Sequence, residues 1–240
     1  MSLLIGCGPL PPKRGKYFDQ FNCAELSESM FQPVRYKTLR SWNKQRPEGF
    51  DYVLGAFRWI GLEPLDARDE PPIEGFDKKD FGLFSDTEAN RALWAETAAQ
   101  AEALAANAVI IRTPPGFTPS QSNRDNLRHF VKEIIGEVPY DFIWEARGLW
   151  THEQRVEMAT ELGMTLATDP YDTPRLPAIP DGNAYYTITA PNGRVRFGQE
   201  DFFELAEFLS DHEGETTRVI FRGAEREYNG AHLLKALEAF

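Results

Sequence analysis

Short runs of apolar and β-branched residues recur along the chain. Between them lie longer stretches whose apolar residues fall three and four positions apart. The runs are Leu3–Cys7, Phe21–Ser27, Phe50–Phe57, Ala108–Thr113, Tyr140–Ala146, Met164–Thr168, Ala184–Thr189 and Thr217–Phe221. At lengths of about four to eight residues, an apolar run is better read as a strand than as a helix. The intervening segments predict helices over Val34–Gln45, Asn90–Ala106, Asn123–Ile135, Thr151–Leu162, Gln199–Ser210 and Asn229–Phe240. In the third of these, Leu127, Phe130, Val131 and Ile134 form one stripe and Gly136 follows as a stop. In the fourth, Thr151 and Gln154 have the spacing of a capping box, and Gly163 ends it. Asn229 is a good cap residue for the last.

Strands alternating with helices imply βα units and a parallel sheet. Eight such units over this length match the repeat number of a (β/α)8 TIM-like barrel, which typically takes about 250 residues. An open doubly wound sheet would also alternate. However, Gly6-Cys7-Gly8 is followed by Pro9 rather than by a helix opening, so no glycine-rich phosphate fingerprint follows the first strand. The expected fold is therefore a single barrel domain over residues 1–240 with two irregularities. The first helix is short, because Pro9–Gln20 leaves room for one or two turns. The sixth is missing or irregular, because Pro170–Gly182 holds Pro170, Pro174, Pro177 and Pro180. Residues 61–86 form a long βα loop insertion, either a solvated loop or a lid on the catalytic face.

Charge and cysteine usage narrow the class. Lys and Arg number 26 against 37 Asp and Glu, a net charge of −11. That balance disfavours coating nucleic acid or an anionic membrane with the whole surface, though not a local basic pocket. No apolar run approaches the ~18 residues of a membrane span. Met1–Pro12 lacks a signal-peptide pattern, so a cytoplasmic protein is expected. Cys7 and Cys23 are too few for a disulfide scaffold or an all-cysteine zinc site.

In a barrel, function sits at the C-terminal ends of the strands. The polar residues falling there are Cys7, Glu25, Ser27, Arg58, Arg112, Thr113, Glu145, Arg147, Asp169, Thr189 and Arg222. Glu145 and Arg147 are two apart on a strand and share a face, with Phe142, Trp144 and Ala146 on the other. Inward, neither charge can sit unpaired without a large desolvation cost. A layer of buried ion pairs is the structural alternative to catalysis. His152 opens the fifth helix, where a proton donor near pH 7 is conceivable; a solvent-facing helix residue is the plainer reading. His129, His212 and His232 lie in or beside outer helices. Glu25, Glu145 and Asp169 could in principle converge on a hard or borderline cation, yet arginines stand among them and no HxH, HxxxH or CxxC spacing supports it. Neither a metal nor a cofactor is expected.

Several stretches together resemble the YecE-like family, also called domain-of-unknown-function-72, whose members are TIM-like barrels. The carrying residues are Phe21-Asn22-Cys23-Ala24-Glu25 with Phe31-Gln32-Pro33; Trp42, Pro47 and Phe50; Thr113-Pro114-Pro115-Gly116-Phe117 with Asn126-Leu127; and Phe142-Ile143-Trp144-Glu145-Ala146-Arg147 with Trp150. Asp169 and Phe221 match later positions. The chain departs from the family pattern at Gly55, where a Lys is usual, and at Arg112, where a Gln is usual. It departs again at Thr187-Ile188-Thr189-Ala190, for Arg-x-His-Gly, and at Phe221-Arg222-Gly223, for Phe-Asn-Asn. Its connection between the first two strands is also short. The resemblance implies a fold and a pocket at the strand ends rather than a reaction.

Three functional expectations follow. The first is binding or turnover of a small anionic, phosphate-bearing sugar or nucleotide. Arg112, Arg147 and Arg222 would hold the anion, with Trp150 and Asp169 also contacting substrate. Glu25 or Glu145 would act as base and His152 as acid. The second is a nucleic-acid-binding or -processing barrel, with Trp59, Trp150 and Tyr171 available to stack on bases. The third is a non-catalytic barrel that binds a ligand or partner. No membrane partner is expected, and the sequence assigns no oligomeric state.

Overall fold

Eight parallel strands are hydrogen-bonded in chain order and the last pairs with the first, closing a barrel. They are β1 (Ser2–Cys7), β2 (Cys23–Leu26), β3 (Asp51–Gly55), β4 (Ala108–Arg112), β5 (Asp141–Glu145), β6 (Thr165–Thr168), β7 (Ala184–Ile188) and β8 (Thr216–Phe221). All eight fall within the runs read from the sequence, to within a residue at the starts of β1 and β8. The helices are α1 (Arg14–Phe18), α2 (Tyr36–Gln45), α3 (Glu88–Leu104), α4 (Gln121–His129), α5 (His152–Glu161), α6 (Gln199–Ser210) and α7 (Arg226–Leu237). This computed structural model describes residues 2–63, 69–171, 182–189, 196–210 and 215–239. Most of the proline-rich β6–β7 connection lies outside them, as do His212 and part of the 61–86 insertion.

The chain divides into two compact units. The first comprises Met1–Ser27, Pro47–Asp51 and Ala167–Phe240; the second comprises Glu28–Arg46 and Tyr52–Leu166.

In the first unit, β1 pairs with β8 along its whole length, from Ser2 opposite Thr216 to Cys7 opposite Phe221. β1 and β2 pair only at Gly6–Cys23 and Cys7–Ala24. Side chains complete that short ladder. Asn22 accepts from the Ile5 amide at 2.7 Å and donates to the Leu3 carbonyl at 3.1 Å. The Tyr17 hydroxyl donates to the Cys23 carbonyl at 2.6 Å and accepts from the Cys7 amide at 2.7 Å. Gly6 is required here, because a Cβ would stand 1.9 Å from the Cys23 carbonyl oxygen. α1 is short, yet it places Tyr17 against Phe21 and Phe18 against Phe50.

A charged pair lies deep in this unit. Arg218 of β8 donates from Nε and Nη2 to the two carboxylate oxygens of Asp51, at 3.1 and 2.9 Å. Their side chains are 4% and 7% exposed. The fork geometry satisfies both groups at once, which a buried ion pair needs.

In the second unit, an aromatic chain joins the helices to β5. Phe84 packs edge-on to Phe117 and Phe130, Trp94 to Phe130 and Phe142, and Trp144 to Trp150. The described part of the 61–86 segment is anchored here: Phe81 and Phe84 are buried, and Asn90 bonds to both the amide and the carbonyl of Gly82. This corrects the expected start of α3. The cap is Thr87, while Asn90 sits inside the first turn with its amide tied to the loop. Similarly, α7 begins at Arg226, and the buried Asn229 accepts from the Phe197 amide at 3.2 Å. Asn229, which reads as a cap in sequence, tethers a loop instead, as Asn90 does in α3. Of the expected stripe, Leu127, Phe130 and Val131 are buried while Ile134 is half-buried, and from Phe130 to Ile135 the helix widens to π geometry.

Candidate functional site

Within the second unit, the ends of β4 and β5 are in parallel register, with Arg112 opposite Glu145. Neighbouring residues in a parallel ladder project to the same face, so the two side chains meet. Arg112 Nε donates to Glu145 Oε2 at 2.6 Å. Arg147 reaches back along its own segment, and both its Nε, at 2.9 Å, and its Nη2, at 2.7 Å, donate to Glu145 Oε1. One carboxylate therefore bridges two guanidiniums, leaving the trio one positive charge in excess. Glu145 is 8% exposed. The Arg112 side chain is 16% exposed, whereas that of Arg147 is 51% exposed. Arg112 Nη1 also points at the Met30 sulfur, 2.8 Å away.

The local backbone holds this arrangement. The Arg147 amide donates to Thr113 Oγ1 at 3.3 Å. Gly148, at φ +87°, passes so close to the Pro114-Pro115 turn that a Cβ would sit 2.3 Å from the Pro115 carbonyl oxygen. The Thr-Pro-Pro and Glu-x-Arg-Gly motifs are thus two sides of one contact.

The first unit has its own polar cluster. Glu25 of β2 is fully buried. Its Oε2 accepts from the Tyr185 hydroxyl at 2.7 Å and from Arg222 Nη2 at 2.6 Å, and its Oε1 accepts from Ser27. The Arg222 side chain that pairs with it is 16% exposed. Burial, and then the nearby Glu25 charge, push the Tyr185 phenol well above its usual range. Asp169 serves the adjoining loops, accepting from the Tyr171 amide at 3.0 Å and the Thr189 amide at 3.4 Å.

The remaining expected residues are placed differently. Trp150 is 3% exposed, and its indole N–H donates to the Phe117 carbonyl at 2.6 Å. Its ring stacks on Phe117 and lies under the Arg124 guanidinium. Trp59 is fully buried. Contrary to expectation, neither tryptophan presents a face on which a base could stack, because both rings are packed into the core. Tyr171 is half-buried, with its hydroxyl on the Asp201 carbonyl. His152 is exposed in the first turn of α5, and its side chain hydrogen-bonds to no described residue. His129 pairs with Asp86 at 2.7 Å. Among the described residues no group of three or more His, Cys, Asp or Glu is arranged to hold a metal ion. None of their helices is long and apolar enough to cross a membrane.

Sequence reasoning missed Tyr185 and Met30. Tyr185 reads as one more aromatic in an apolar strand, and only the fold brings its hydroxyl to Glu25, distant along the chain.

Comparison with known proteins agrees with this architecture. The model of the family described as "Protein of unknown function DUF72" matches residues 13–237. A DUF72 family protein from Thermotoga maritima superposes with a TM-score of 0.70 at 15% identity, covering 99% of this chain and 100% of its own. The protein SacUVDE gives 0.64 at 7% identity over 100% and 98%. Endonuclease IV from Thermus thermophilus gives 0.50 at 13% identity over 98% of each chain. No curated protein matches. The last two likenesses concern the fold alone, whereas the family match spans nearly the whole sequence and includes both the Thr-Pro-Pro turn and the Glu-x-Arg strand end that build the arginine cluster. The chain belongs to the DUF72 family of (β/α)8 barrel proteins.

Proposed function

We propose that the protein binds a small phosphate-bearing ligand, a sugar phosphate or nucleotide, on Arg147 and Arg112. The observation that carries this reading is the Glu145 bridge. It fixes two guanidiniums with a net positive charge, one of them half exposed. Arg147 Nη1 makes no hydrogen bond to any described residue, so a donor edge remains for a ligand. A planar fork held in place loses little freedom on meeting phosphate, which favours arginine over lysine for this task. Both oxygens of Glu145 accept from guanidiniums, and Tyr185, Arg222 and Ser27 all donate to the Glu25 carboxylate. In this reading the two glutamates orient arginines rather than remove substrate protons. Calorimetric titration with inorganic phosphate and glucose 6-phosphate tests it. Arg147→Ala should weaken binding more than about tenfold, the loss of one charge-assisted contact. An unchanged dissociation constant would remove the proposal.

Nucleic-acid binding is the second reading, favoured by the name of one structural neighbour, an endonuclease, together with the same arginine pair. The net charge of −11 weighs against it. If two arginines neutralise two phosphates of duplex DNA, the logarithm of affinity should fall with that of salt at a slope of about −1.8. Salt-independent binding would exclude it.

A further inference from the structure

Phe31 follows the 3-10 turn Ser27–Met30 and is 53% exposed. Its ring is not loose on the surface. The Arg58 guanidinium lies 5.0 Å from its centroid, and Arg58 is itself held by Asp69. One face of the ring is thus backed by a cation, and the exposed remainder faces water. The preceding residue, Met30, is buried, and its sulfur is the atom that Arg112 Nη1 meets at 2.8 Å. An exposed aromatic ring therefore follows directly on the methionine whose sulfur meets Arg112, the inner member of the arginine pair held by Glu145, all within the second unit.

We propose that the ligand of this site is a nucleoside phosphate, with its phosphate on Arg147 and Arg112 and its base stacked on the outer face of Phe31. This rests on the phosphate reading of the Glu145 cluster and adds the identity of the other end of the ligand. Two observations favour a base over an acyl chain or a bare sugar. Phe31 is a single exposed ring with the Arg58–Asp69 ion pair beside it, so it offers a planar contact next to charge. Its backing by Arg58 fixes its orientation, and base stacking on a fixed ring is tolerant of base identity. The buried tryptophans nearby are engaged in the core, which leaves the stacking role to Phe31.

The test compares inorganic phosphate, adenosine 5′-monophosphate and a short 5′-phosphorylated oligothymidylate, titrated into the intact protein and into Phe31→Ala and Arg147→Ala. Phe31 is exposed, so Phe31→Ala should keep its circular dichroism and melting profile. The mononucleotide should bind at least about tenfold more tightly than phosphate, the gain typical of one stacked base. Phe31→Ala should erase that gain and leave phosphate affinity unchanged, while Arg147→Ala should weaken all three ligands. An oligonucleotide that binds more tightly than the mononucleotide, with steep salt dependence, would identify a strand end as the source of the unit; equal affinities would identify a free nucleotide. If phosphate binds but the mononucleotide gains nothing, or Phe31→Ala leaves the gain intact, the stacking proposal is overturned and the phosphate reading stands. If Arg147→Ala changes nothing, both fall.

Discussion

Tyr185 of β7 donates its hydroxyl hydrogen to Glu25 of β2 across 160 positions of sequence, at 2.7 Å, and both side chains are buried. Tyr185→Phe keeps the ring and removes one donor, the phenol, from a buried carboxylate. The expected loss is about 1–3 kcal/mol, read as a lowered urea midpoint with an unchanged m-value. A midpoint equal to that of the parent would show that the hydroxyl is dispensable to the cluster.

The Asp51–Arg218 pair should be more sensitive. Arg218→Met leaves the Asp51 charge buried without its fork and should cost about 3–5 kcal/mol. Replacing both, as Asp51→Leu with Arg218→Met, should recover most of that loss, because the penalty comes from the orphaned charge rather than from the missing attraction. Chemical denaturation of the two variants separates these contributions. A double variant as unstable as the single one would contradict the argument.

Both cysteines should be silent in the native state. Burial pushes the Cys7 thiol up to about 12, and Cys23, buried and beside the Asp51 charge, is raised well above its usual range. At pH 8 neither supplies thiolate, and neither is reachable by a reagent. An aromatic disulfide probe should release nothing from the folded protein and report both thiols once denaturant is added.

Asp86 should set a feature of the acid limb. Its carboxyl is lowered to about 2, first by Arg91, which donates at 2.6 and 2.8 Å, and then by His129. A group depressed on folding contributes stability that is complete above its unfolded value near 3.8 and is lost as pH falls through about 2. Carbon-detected NMR titration should place the Asp86 midpoint near the lower value. Arg91→Ala should move it upward, and a midpoint that stayed put would assign the effect elsewhere.

Much of this architecture was legible in the chain. Every strand announced itself as a short apolar run, and Glu145 with Arg147 followed from the two-residue period. What the sequence hid depended on partners distant along it. Arg218 sits between Thr217 and Val219 like any solvent-facing strand residue, and nothing nearby points to Asp51. Trp150 looked like a rim aromatic because its neighbours are polar, whereas its ring closes the space between Phe117 and Trp144. Asn90 and Asn229 have the chemistry of caps and serve as loop tethers. Phe31 carried a motif but no sign of exposure, since exposure depends on what fails to cover a residue.

The Glu25 cluster also bears on how the first unit is made. Glu25 belongs to a strand near the start of the chain, and the groups that make its burial tolerable, Tyr185 and Arg222, arrive with the last two strands. Until then, closing apolar surface over β2 means sealing a carboxylate away from water without its cation and its phenol, which is steeply uphill. A half-built first unit therefore has no stable resting point. Its early and late strands must commit together, so a single acidic side chain turns what might have been stepwise growth into a cooperative event.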